Sequence, residues 1–97
     1  MSIWSGGRSA VPEAYVVHIQ PSAQRDLDRI DPHTRQRILD RLSRLEGNPR
    51  HPGTQKLKGY ELQWRLRVGD YRILYEIHDR EREVRIYRIA HRREAYR

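Results

Sequence analysis

Residues 62–68 (LQWRLRV) alternate without a break. Leu62, Trp64, Leu66 and Val68 face one way and Gln63, Arg65 and Arg67 the other, which predicts a β-strand with one buried face. Gly69-Asp70 follows as a two-residue turn with glycine first, the order a type II′ hairpin prefers. Tyr71–Ile77 (YRILYEI) is the returning strand. After a charged turn over His78–Glu83, Val84–Ala90 (VRIYRIA) is apolar enough on both faces to be a central strand.

Upstream the apolar spacing changes. Tyr15–Gln20 (YVVHIQ) reads as a strand ended by Pro21. Ser22 is then the expected N-cap of a short helix, with Ala23, Leu27 and Ile30 on one face. Asp31-Pro32 opens a second helix, with a capping Asp and a proline at the first helical position. Ile38, Leu39, Leu42 and Leu45 form its stripe, and Gly47 is the expected C-terminal cap. Asn48–Gln55 (NPRHPGTQ) reads as a loop, and Lys56–Tyr60 as a basic connector.

This order predicts an α+β fold: a two-helix hairpin packed on one face of a mostly antiparallel four-stranded sheet, with the other face open. Residues 14–97 form the single expected domain, and residues 1–13, with Gly6, Gly7 and Pro12, a flexible leader.

The turn at Gly69-Asp70 sets a register. Arg67 falls opposite Arg72, Arg65 opposite Leu74, and Gln63 opposite Glu76, all on the open face. Like charges directly opposite each other destabilise a sheet by about a few tenths of a kcal/mol. Three guanidinium groups on one open face make sense if an anion sits among them, and phosphate is the natural candidate. Composition agrees. Lys and Arg number 20 against 13 Asp and Glu, a formal charge of +7, in a chain of mean hydropathy −1.01. Such a domain points to nucleic acid, an acidic protein, or both.

Other chemistries lack their residues. Without cysteine there is no disulfide or thiolate metal site, and the chain is compatible with a reducing cytoplasm. No apolar run approaches the ~20 residues that cross a bilayer. His18, His33, His51 and His78 have no metal-like spacing, so neither a metal nor another cofactor is expected. RNA cleavage by this chain would use the substrate 2′-OH as nucleophile. After the last strand come His91, Arg92 and Tyr96. Histidine titrates near neutrality, which makes His91 a candidate base, although a histidine in a basic tail is more often merely solvated.

The run WRLRVGDYRILYEI (Trp64–Ile77), followed by a strand and HRREAYR (His91–Arg97), resembles the RelE branch of the RelE/ParE toxin superfamily. KLKG (Lys56–Gly59) and the strand–helix–helix order fit as well, so the resemblance covers residues 14–97. It implies a RelE-like toxin of a type II toxin–antitoxin system. RelE-like members enter the ribosomal A site and cut messenger, orienting the RNA and stabilising the developing charge. Carried over by motif, the catalytic candidates are Arg65, Arg72, His91, Arg92 and Tyr96, and the RNA-binding ones Lys56, Lys58 and Arg67. Arg72, from GDYR, would hold the scissile phosphate. Tyr96 would stack on, or exchange protons with, the substrate.

The resemblance also implies its partners: ribosomal RNA, messenger, and an acidic antitoxin that folds as it binds, giving a hetero-oligomer. One departure matters. The branch uses lysines where this chain has Arg65 and Gln63, and arginine barely deprotonates. A base must then come from His91 or Tyr96. The superfamily also includes ParE-like inhibitors of DNA gyrase without nuclease chemistry. The arginine set with His91 and Tyr96 favours the ribonuclease.

Overall fold

A computed structural model describes residues 14–57, 59 and 62–95. The elements are β1 (Val16–Ile19), α1 (Pro21–Asp28), α2 (Pro32–Ser43), β2 (Thr54–Lys56), β3 (Gln63–Val68), β4 (Tyr71–His78), β5 (Glu83–His91) and α3 (Arg92–Ala95). They build one five-stranded sheet in the order β1-β5-β4-β3-β2. β1 runs parallel to β5, and the other neighbours are antiparallel.

The expectation of four strands is corrected by β2, which pairs Thr54 with Leu66, Gln55 with Arg65 and Lys56 with Trp64. Its residues, TQK, carry no apolar side chain, so hydrophobic alternation cannot reveal it. It is an edge strand held by backbone pairing. Gly53, at φ +101, makes the turn into it, a conformation that suits glycine.

The helices start as proline dictates. Pro21 and Pro32 stand at the first turns of α1 and α2, where a missing N–H costs nothing. Asp31 caps α2, its Oδ2 accepting the Thr34 N–H at 3.0 Å. That bond holds its carboxyl below the usual range. The cap of α1 is Gln20 rather than Ser22, because Ser22 is used elsewhere. Its hydroxyl donates to the Tyr87 carbonyl at 2.6 Å, and one turn later Asp26 Oδ2 accepts the Ile89 N–H at 2.8 Å. β1 covers β5 only as far as Ile86, so α1 satisfies the strand edge that β1 leaves bare. The end of α2 also differs. It tightens into a 3-10 turn over Arg44–Glu46, and Gly47 sits at φ −84, outside the left-handed region.

The core joins Ala23, Leu27, Ile38, Leu42 and Leu45 of the helical layer to Val17, Ile19, Leu66, Ile73, Tyr75, Ile77, Val84 and Ile86 of the sheet. With no phenylalanine, Tyr75 is its largest fully buried side chain. The Tyr75 hydroxyl donates to the Pro49 carbonyl at 2.7 Å, and burial pushes its pKa up to about 12. Leu62, expected in the core, is 45% exposed and precedes β3. Among the described residues, no helix is long and apolar enough to cross a membrane.

The β4–β5 ladder shifts register between Leu74 and Tyr75. Leu74 pairs with Arg88 and Tyr75 with Ile86, so Tyr87 is the extra residue of a bulge. The bulge explains VRIYRIA, in which Ile86 and Ile89 both enter the core although they stand three positions apart, an odd spacing.

Candidate nucleic-acid interface

The hairpin register read from sequence is the one that forms: Arg67 pairs with Arg72, Arg65 with Leu74 and Gln63 with Glu76. All six project from the face opposite Leu66, Ile73 and Tyr75, which lie in the core. Arg65, Arg67 and Arg72 together line one cavity of about 220 Å3 with Gly53 and Gln55. Arg65 is braced there, its Nη2 donating to Gln55 Oε1 at 2.6 Å. Arg67 is exposed, whereas Arg72 is buried, with 4% of its surface accessible. A buried guanidinium is costly to desolvate, and a fold keeps one where it has a partner or a task. Gln55 and Gly53 were absent from the candidates read from sequence. They line the cavity because β2 adds to the edge of β3, and no local signal reveals that pairing.

The remaining candidates are placed elsewhere. Lys56 lies opposite Trp64, so strand alternation turns it away from the arginine cavity. Lys58 and Tyr96 lie outside the described residues. His91 pairs with Tyr71, and the two rings meet edge-on with centroids 5.3 Å apart. Beside them Asp26, Arg29 and Ile30 of the α1 region, with Ile89, complete a cavity of about 110 Å3. His91 is therefore on the helix-bearing side. The bulge is the physical reason. With unbroken alternation from Ile86, His91 would share the open face with the arginines. The extra residue reverses every side chain after it. Arg92 opens α3 and donates its backbone N–H to the Asp70 carbonyl at 2.6 Å. With Asp70, His91 and Arg93 it lines a cavity of about 530 Å3 at the hairpin end of the sheet. The structure thus brings Arg65, Arg67 and Arg72 together and gathers His91 and Arg92 separately.

The same open face is charge-balanced toward β1. Arg85 donates to Glu83 Oε1 at 2.8 Å and holds that carboxyl below the usual range. His18 approaches the same carboxylate at 3.6 Å, and His78 lies 3.0 Å from Glu76. Among the described residues no group of His, Cys, Asp and Glu could hold a metal ion. Away from those pairs, Arg65, Arg67 and Arg72 gather positive charge around one cavity.

Residues 17–96 match the family described as the ParE toxin of type II toxin–antitoxin system, parDE. Among solved structures, the chain is similar to the RelBE2 toxin–antitoxin complex of Mycobacterium tuberculosis, with a TM-score of 0.73 and 28% identity over 80% of this chain and 98% of that one. It is similar to the archaeal RelE–RelB complex of Pyrococcus horikoshii OT3, with a TM-score of 0.72 and 26% identity over 81% and 96% of the two chains. The isolated E. coli RelE toxin shares the fold, with a TM-score of 0.72 and 19% identity over 86% and 96%. No curated protein sequence matches the chain.

Proposed function

The chain belongs to the ParE toxin family of type II toxin–antitoxin systems, and from that premise we propose that it stops translation by cutting messenger RNA on the ribosome. The observation that supports this reading is the cavity shared by Arg65, Arg67 and Arg72. In the proposed reaction the substrate 2′-OH attacks the adjacent phosphorus. The bond from phosphorus to the 5′-oxygen of the next nucleotide breaks to leave a 2′,3′-cyclic phosphate, and the departing 5′-oxygen takes up a proton from water. Negative charge grows on the non-bridging oxygens on the way. Arg72, buried and fixed in the cavity wall, meets that charge without reorganising. Arg65, braced by Gln55, holds a neighbouring oxygen. Arg67, exposed at the rim, draws the backbone in.

The proton of the 2′-OH needs an acceptor, and arginine is a poor one. His91 sits against Tyr71 on the other side of the sheet. It acts in this reading as a positioning residue for the segment carrying Arg92 and Tyr96, and Tyr96 takes the proton-transfer and stacking role. Lys56 and Lys58 contact ribosomal RNA. The RelBE2 and RelE–RelB matches are toxin–antitoxin complexes. By extension an acidic antitoxin covers this basic face and neutralises it in a hetero-oligomer. The ribosome sets the site of action in the cytoplasm.

A second reading, gyrase inhibition without nuclease chemistry, is favoured by one observation. Among the described residues the arginine cavity is lined by no histidine or carboxylate that could take a proton. Induced expression with separate readouts decides between them. Arrested translation with messenger cut at ribosome-positioned sites supports the ribonuclease. DNA breaks with intact messenger support the gyrase reading and overturn the first.

A further inference from the structure

The bulge that takes His91 off the open face puts Arg88 onto it. Leu74 lies between Arg65 and Arg88 in direct register, and Gln55 extends the row beyond Arg65. The adjacent row is Arg67, Arg72 and Ala90. Neither row contains a carboxylate. The row on the other side holds Gln63, Glu76, Arg85 and His18, where Glu76 stands between Gln63 and Arg85. Charge balance thus changes sharply across Leu74. Arg88 is exposed, and among the described residues no carboxylate pairs with it. Leu74 is a half-buried aliphatic side chain flanked on both sides by guanidinium groups. It cannot offset their charge, and it offers a flat apolar surface.

We propose that Leu74 and Arg88 form a nucleotide subsite next to the arginine cavity, with a base lying on Leu74 and Arg88 contacting the following phosphate. Strands stand about 4.8 Å apart, so Arg65 and Arg88 are separated by about two strand spacings. That span accommodates one base between two backbone contacts. The cations are all arginine, whose planar group binds phosphate and stacks on bases, which favours RNA over an acidic peptide as the occupant. The subsite rests on the reading of this face as an RNA-binding surface. It adds residues that the motif resemblance did not supply.

The test uses the full chain and a fluorescein-labelled single-stranded RNA of about 12 nucleotides, followed by anisotropy across a salt series. Arg88→Gln is expected to weaken binding about tenfold and to make the log–log salt slope shallower by about 0.7, the loss of one phosphate contact. Arg88→Lys keeps most of the affinity, and Leu74→Ser weakens binding without changing the slope. Thermal unfolding of each variant confirms that it is folded. Undiminished RNA binding by folded Arg88→Gln overturns the subsite, as does wild-type chain that binds no RNA. Arg88 serving an acidic protein partner instead would give that first outcome. Arg88-dependent RNA binding in a chain that leaves messenger intact in cells would uphold the subsite while overturning the ribonuclease reading.

Discussion

Tyr71 and His91 are cross-strand partners whose rings meet at 88°, edge to face, with centroids 5.3 Å apart. Aromatic pairs of this geometry contribute about 0.5–1.5 kcal/mol beyond their burial. Here the contact fixes the last residue of β5, from which α3 and the C-terminal segment depart. If the imidazole serves as a ring rather than as a base, shape decides function. His91→Phe is expected to keep most of the growth arrest seen on induction and to leave its pH profile unchanged. His91→Ala should lose it. Loss of activity in both variants would restore His91 to the proton-transfer step.

Arg72 is expected to be indispensable for activity. Losing one preformed donor to a developing oxyanion costs about 100-fold in rate or more. Arg72→Gln should remain folded, as thermal unfolding checks, and cause no growth arrest. A folded Arg72→Gln that remains toxic would contradict the site.

The Asp26 carboxylate is the acceptor that the Ile89 N–H finds where β1 ends. An unsatisfied backbone donor costs about 1–3 kcal/mol. Asp26→Ala is therefore expected to lower the unfolding midpoint by about 5 °C or more. Asp26→Asn, which retains an acceptor oxygen, should lose less. Equal midpoints for wild type and Asp26→Ala would show that α1 does not hold that edge.

Asp79 accepts two hydrogen bonds from Arg50, at 3.1 and 2.8 Å, and a third from the Tyr15 hydroxyl at 2.5 Å. Together these lower its pKa from 3.8 to about 2, with Arg50 the larger cause. A carboxyl lowered by folding stabilises the native state above its unfolded pKa and loses that contribution as pH falls through the folded value. The loop joining β4 to β5 should thus loosen between about pH 4 and pH 2. Unfolding midpoints of wild type and Asp79→Asn should differ at pH 7 and converge near pH 2. A constant gap would rule out this linkage.

Much of the fold could be read from sequence, and the unread parts have specific causes. The β3–β4 hairpin was legible because strict alternation and a Gly-Asp turn leave one register. The start of α2 was legible because Asp31-Pro32 is a local signal, whereas α1 begins at Pro21 behind a Gln20 cap, ahead of the cap expected at Ser22. β2 was not, since Thr54–Lys56 pairs through its backbone and buries nothing apolar. The bulge at Tyr87 was not, because an extra residue in a strand apolar on both faces leaves no mark in the pattern. That one residue decides the site: it removes His91 from the arginine face and adds Arg88. Ser22 reads in the sequence as a helix cap and Asp26 carries no signal there; only the short reach of β1 gives them their task.

Arg67 and Arg72 face each other across neighbouring strands, a like-charge pairing that the proposed RNA-binding role explains by a bound anion. Thermal unfolding of wild type and Arg67→Thr, each with and without single-stranded RNA, tests this most directly. Without RNA the variant should unfold at the higher temperature, because the like-charge pair is gone. With RNA the order should reverse, because the wild type binds more tightly and is stabilised by mass action. A variant less stable than wild type without RNA, and stabilised by RNA to the same extent, would contradict the claim.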